Sequence, residues 1–213
     1  MDGTLVDTEP YWMEAETALV ERFGGTWSHE QALTLVGQGL ETSGLILQNA
    51  GVRMTVPDII DHLTGEVTRL LAERGSPLRP GARELLLALN EAGVRCALVT
   101  MSMRRMAEQV VAPLDGAFEI IVAGDDVTRP KPFPDAYLQA CAELGIEPAD
   151  AVAIEDSPTG VRAAVGAGVT TIGVPLMVSL VGTGAHTLWT TLAERGPAHI
   201  AAVHAAHRPG EHT

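Results

Sequence analysis

After Pro80-Gly81 the chain settles into an alternation that few architectures accommodate. Short apolar runs at 94–99, 118–122, 151–154 and 169–174 are separated by loops and helical patterns. Strands interleaved with helices pair in parallel, because each crossover helix returns the chain to the same end of the sheet. Helices then cover both faces, which is why such strands read as nearly continuous apolar runs. The expectation is an α/β core of three layers, helix on sheet on helix. Polar residues just past the strand ends are the ones to watch, since ligands of open parallel sheets collect outside the carboxyl ends of the strands.

The preceding block has a different texture. From Thr8 to Gly75 the pattern is helical and holds no convincing strand. Pro10 suits a first helical turn, Gly24-Gly25 a stop, and Ser28 with Gln31 a capping box. Further helices are expected over 41–50 and 57–74, with Gly51 and Gly75 as terminators. The chain therefore reads as a core formed by 1–7 and 80–213, interrupted by an all-helical insertion at 8–79.

Charge and cysteine usage exclude several roles. Asp plus Glu number 27 against 14 for Lys plus Arg, a formal charge of -13 that opposes nucleic acid and anionic membranes. Cys96 and Cys141 are the two cysteines; both sit in apolar or helical patterns and read as buried thiols. No basic start followed by an apolar stretch marks export, so a cytoplasmic location is expected. The segment 163–193 has no charged residue, but six interruptions by glycine and proline argue against a membrane span. The C-terminal segment with His199, His204, His207 and His212 reads as a frayed tail.

Four segments carry chemistry. Asp2-Gly3-Thr4 opens the chain as a tight acidic loop. Ala97-Leu98-Val99-Thr100-Met101-Ser102 is a buried strand that ends in a hydroxyl, with a helix starting near Met103 whose dipole favours an anion. In Arg129-Pro130-Lys131-Pro132-Phe133-Pro134-Asp135 the prolines limit the directions in which Lys131 can point. Val152-Ala153-Ile154-Glu155-Asp156-Ser157 is an apolar strand that ends in adjacent acids, a costly arrangement unless a cation neutralises them. Magnesium suits such an oxygen set, with Asp156 as direct ligand and Glu155 as direct ligand or as support.

In this order, these segments resemble the motifs of the haloacid dehalogenase superfamily phosphatases, in the branch with a helical cap that includes the β-phosphoglucomutases. The likeness extends to Leu78-Arg79-Pro80-Gly81, the usual re-entry from a cap, and to Val165-Gly166-Ala167-Gly168-Val169 before the last strand. It implies a Rossmann-like core, a cap at 8–79, and magnesium-dependent hydrolysis of a small phosphorylated metabolite. Asp2 would be the general acid and base and lend magnesium its carbonyl, while Thr100, the Met101 N–H and Lys131 would hold the phosphoryl group. Asp156 and Glu155 would serve the metal, and Gly37 and Gln38, in the cap loop Val36-Gly37-Gln38-Gly39-Leu40, would inspect the leaving group.

The family's nucleophilic aspartate belongs two positions before Asp2, on a central strand, and the sequence starts one residue too late to hold it. The expectation is a start codon assigned downstream of the true one, with an Asp codon immediately before Met1; the 213-residue chain itself is expected to be inactive. Two alternatives accompany this reading: a nucleophile-free relative that binds phosphorylated ligands, and a phosphomutase. Trp12 stands near the position where the mutases use a histidine, and the cap loop has no cation, which favours hydrolysis.

Overall fold

The computed structural model describes residues 1–114 and 116–207. Four helices come first: α1 (Glu9–Arg22), α2 (His29–Leu33), α3 (Leu40–Asn49) and α4 (Val56–Arg74). Their ends are set by the residues that the sequence marks. Gly24 follows α1 at φ 80°, and Gly75 ends α4 at φ 86°, backbone conformations that cost a side chain energy. Both halves of the capping box form at α2, Ser28 N–H donating to Gln31 Oε1 at 2.9 Å and Gln31 N–H to Ser28 Oγ at 3.2 Å. Helix α4 buries Ile59, Leu63, Val67, Leu70 and Leu71 on one stripe, packs against α1 and α3, and meets the core through α6 (Arg104–Val111).

The remainder alternates as expected: α5 (Ala82–Glu91), β1 (Ala97–Val99), α6, β2 (Ile120–Val122), α7 (Asp135–Leu144), β3 (Val152–Glu155), α8 (Pro158–Gly166), β4 (Thr170–Gly173), β5 (Thr187–Leu188) and α9 (Pro197–His207). All strand pairs are parallel, with Ala97 opposite Ile120, Val152 opposite Thr170 and Ile172 opposite Thr187. The sheet is nevertheless divided. β1 and β2 form one half, and β3, β4 and β5 the other, and no strand joins β1 to β3 among the described residues. A cavity of about 280 Å³ lies between the halves, walled by Leu98 and Val99 on one side, by Val152 and Ile154 on the other, and by Met1 and Leu86. The gap between the half-sheets is lined largely by apolar side chains.

Chain entry and re-entry run side by side. Val6 bridges Leu78, Asp7 N–H donates to the Pro77 carbonyl at 2.8 Å, and Arg79 N–H donates to the Leu5 carbonyl at 2.9 Å. The Arg79 guanidinium then ties the Gly3 carbonyl to those of Val174 and Pro175. This double crossing fixes where the helical block hangs relative to the strand ends.

Two expectations need correction. Residues 197–207 are not a frayed tail but helix α9, with Ile200 and Val203 packed on the core and the His204 ring nitrogen 2.8 Å from the Ala149 carbonyl. An alanine-rich segment with proline at its first position is a good helix former, and the core supplies an apolar surface to dock it. His212 lies outside the described residues. Cys141 is buried as expected, whereas Cys96 is only partly so. The segment 163–193 forms α8, β4 and β5, and no described helix is long and apolar enough to cross a membrane.

Candidate active site

A cavity of about 140 Å³ opens between the helical block and the ends of β1 and β3, and every expected site residue lines it: Asp2, Gly37, Gln38, Thr100, Met101, Lys131, Glu155 and Asp156. Thr100, Met101, Lys131, Glu155 and Asp156 reach it from a strand end or from the loop that follows one, whereas Asp2 comes from the N-terminal loop and Gly37 and Gln38 from the loop between α2 and α3.

The Asp2 loop is wound on one acceptor: the Met1 carbonyl takes N–H groups from Thr4 at 3.2 Å and Leu5 at 2.8 Å. Gly3 has φ 73°, and a Cβ there would overlap the Asp156 carboxylate, so two of the four motifs meet at that glycine. Thr4 Oγ1 donates to Asp156 Oδ1 at 2.7 Å. The Asp2 carboxylate accepts from the Thr8 hydroxyl and, at 2.6 Å, from Ser102 Oγ. Ser102 and Thr8 were not singled out in the sequence, although both are hydroxyls flanking a recognised motif and both are buried.

Thr100 follows β1, its N–H donating to Val122 O at 2.9 Å and its hydroxyl accepting from Ser102 N–H at 3.1 Å. Met101 takes part through its side chain, because Lys131 N–H donates to Met101 Sδ at 3.2 Å. Lys131 Nζ lies 2.6 Å from Glu155 Oε1 and 3.2 Å from the Val99 carbonyl, over the face of the Tyr137 ring. Tyr137 donates its hydroxyl to the same Glu155 oxygen. A Cβ on Gly160 would overlap Glu155 Oε2, so α8 sits directly against that carboxylate. Burial favours the neutral acid at Glu155, but the Lys131 ammonium, joined by the N-terminal ammonium and the Tyr137 hydroxyl, outweighs it and holds the group below the usual carboxylate range. The Tyr137 hydroxyl is pushed up by burial and by Glu155 and remains a donor. The aromatic ring on α7 was invisible to motif reading, since it looks like any core residue of an amphipathic helix.

Acidic groups crowd the opposite wall. Burial, reinforced by the Glu155 charge, pushes Asp156 up to about 6. Burial together with the Asp2, Asp156 and Asp7 carboxylates pushes Glu9 up to about 7. Lys131 is the one cationic side chain among the residues that line the cavity, and three arginines of the helical block point elsewhere: Arg69 to Glu66 and Glu73, Arg74 to Glu14, and Arg53 over Phe23. Among the described residues no three carboxylate, imidazole or thiol side chains converge as a ready metal cluster. Of the roles left open for Glu155, support fits its geometry better than ligation, because its Oε1 is already committed to Lys131 and Tyr137. The loop at Gly37 and Gln38 reaches the core directly, with Thr159 Oγ1 donating to the Gly37 carbonyl at 3.0 Å.

Residues 1–174 match the family model described as haloacid dehalogenase-like hydrolase. The chain belongs to that family. Protein CbbY of Rhodobacter capsulatus is 32% identical over 187 residues, covering 82% of each chain. Hexitol phosphatase B of Escherichia coli K12 is 31% identical over 183 residues, covering 82% of this chain and 81% of its own. The crystal structure of CbbY from Rhodobacter sphaeroides with phosphate superimposes with a TM-score of 0.85 at 31% identity, over 94% of this chain and 96% of that one. The core is thus the Rossmann-like core of this family, and the helical block occupies the place of its cap.

Proposed function

We propose that this chain is the cap and core of a magnesium-dependent phosphatase that hydrolyses a small phosphomonoester of sugar-phosphate type. The observation that carries this reading is the meeting of Asp2, Thr100, Lys131 and Asp156 around one cavity beneath a helical block. Relatives named as phosphatases, hexitol phosphatase B among them, support it. In this reading 8–79 is the cap, which screens the site from bulk water.

Thr100 and the Met101 N–H would hold the phosphoryl oxygens, and Lys131, positioned by Glu155, would neutralise charge as it develops there. Asp2 would give a proton to the leaving oxygen and take one from the attacking water, its carboxylate held by Thr8 and Ser102. The donor set fits magnesium: Asp156 is a buried carboxylate whose raised pKa marks a deficit of positive charge, and magnesium needs few protein oxygens because it keeps several waters. Asp156 and the Asp2 main-chain carbonyl would hold the ion. When bound, it supplies neutralisation of the phosphoryl charge.

The nucleophile of this reading is an aspartate directly before Met1, on a strand that would fill the apolar gap between β1 and β3. A covalent aspartyl-phosphate would form there and be released by water. The test compares the 213-residue polypeptide with versions extended by an apolar strand that ends in Asp or in Asn immediately before Met1. Magnesium-dependent release of phosphate by the Asp version alone is expected. Equal turnover by the unextended chain would overturn the nucleophile assignment.

A second reading keeps the phosphate site without the reaction. It is favoured by the engagement of the Asp2 carboxylate with Thr8 and Ser102, which leaves it poorly placed to attack. In that case phosphate esters would stabilise the chain without being consumed. Phosphomutase chemistry is less well served, since Trp12 offers no titratable group to the cavity that it lines.

A further inference from the structure

The cavity extends beyond the phosphate end along α1. Glu9, Trp12 and Glu16 follow one another at helical spacing on the face that lines it, so Glu16 stands about 10 Å from Glu9, at 1.5 Å of rise per residue. Glu16 is 5% exposed, and its Oε2 has no hydrogen-bond partner. Ser43 on α3, also buried, lines the same cavity, as do Leu35 and Leu63. A carboxylate kept buried at the far wall of a binding cavity, with one oxygen lacking a hydrogen bond and the Trp27 indole only partly offsetting its burial, costs stability, and the mechanism outlined above does not use it. No arginine lines the cavity, and Lys131 is committed to the phosphoryl end.

We propose that Glu16 is the specificity group of the cap: it accepts a hydrogen bond from a hydroxyl at the far end of the leaving group, while a second phosphate would find no cationic side chain at that wall. The substrate is then a monophosphate of a short polyhydroxylated chain rather than a bisphosphate. This inference rests on the phosphatase reading and deepens it. A small cavity gives weight to one polar contact at its far wall, because a buried acceptor discriminates strongly against ligands that leave it unpaired. The carboxyl favours its neutral form, since burial pushes it up to about 8, and a neutral carboxyl pairs with a hydroxyl without stranding a charge.

The experiment is calorimetric titration of the 213-residue chain, with magnesium present, using inorganic phosphate, sorbitol 6-phosphate and fructose 1,6-bisphosphate as probes. Sorbitol 6-phosphate is expected to bind at least tenfold more tightly than either of the others. In Glu16→Leu that advantage should fall to about threefold or less, with inorganic phosphate unaffected and the melting temperature unchanged or raised. Glu16→Gln should keep most of the advantage, since an amide oxygen still accepts. Preference for the bisphosphate, or an unchanged advantage in Glu16→Leu, would overturn the inference alone. A lowered melting temperature in Glu16→Leu with unchanged affinities would do the same, by showing that the carboxyl serves the fold, for instance as a partner for the buried Trp27 indole. If no probe binds, inorganic phosphate included, the phosphatase reading itself falls and the inference falls with it.

Discussion

Thr159 Oγ1 on α8 donates to the main-chain oxygen of Gly37 at 3.0 Å, joining the loop between α2 and α3 to the first turn of the helix behind Asp156. It is a side-chain hydrogen bond between the helical block and the acidic strand end. Thr159→Val keeps the shape and removes the donor, at a net cost of about 1 kcal/mol. Amide hydrogen exchange at Gly37 to Gly39 should accelerate roughly fivefold while α4 stays protected. Unchanged exchange in that loop would show that the bond does not hold the two parts together.

Lys131 and Glu155 form an ion pair whose side chains are 8% and 6% exposed. Removing one member of a buried pair strands the other, so Lys131→Met should destabilise by about 3–5 kcal/mol, and Lys131→Met with Glu155→Leu should recover most of that loss. Urea unfolding of the two single variants and the double variant measures the coupling. Strictly additive losses would mean that the pair is not the unit holding the lysine.

Stability should decline between about pH 5 and pH 8. Glu16 is pushed up to about 8 by burial, with Glu9 adding and the Trp27 indole opposing, and Glu9 itself is pushed up to about 7. In this window the folded chain holds protons that the unfolded chain has released, so each rise in pH favours unfolding. Glu16→Gln should flatten the upper part of the decline, a difference on the order of 1–3 kcal/mol by pH 8. Parallel curves for the two proteins, followed by urea midpoint against pH, would contradict the assignment.

Asp156 carries the same sign, since burial and Glu155 push it up to about 6. Asp156→Asn should therefore be more stable than the parent at pH 8 without metal, by about 1–3 kcal/mol. Magnesium should raise the melting temperature of the parent and leave that of the variant unchanged. A magnesium response that survives in Asp156→Asn would move the metal elsewhere.

The strand-end motifs were legible because each is local: a Lys fixed between prolines, two acids after an apolar run, a hydroxyl after another. The helix boundaries were legible for the same reason, through Ser28, Gly24 and Gly75. What escaped reading depends on distant packing. Tyr137 becomes a partner of Glu155 only because α7, packed on β1 and β2, turns that ring toward β3, and Glu16 becomes a cavity residue only because α1 turns that stripe toward the core ends. β5 spans Thr187–Leu188, too short for an alternation to show, and exists because β4 offers it an edge. Helix α9 was missed because histidines among alanines, prolines and glycines resemble an unstructured end until a docking surface is present.

The divided sheet bears on the pocket as well as on the core. Thr100 hangs from the half that holds β1, and Asp156 from the half that holds β3, so in the proposed reading the width of the gap would set the distance between the hydroxyl that holds the phosphoryl group and the carboxylate that holds the metal. An extended segment lying in that gap would act as a spacer, and its bulk and register would set how far apart those two groups stand. Affinity for inorganic phosphate would in this reading be a ruler for the separation of the two half-sheets.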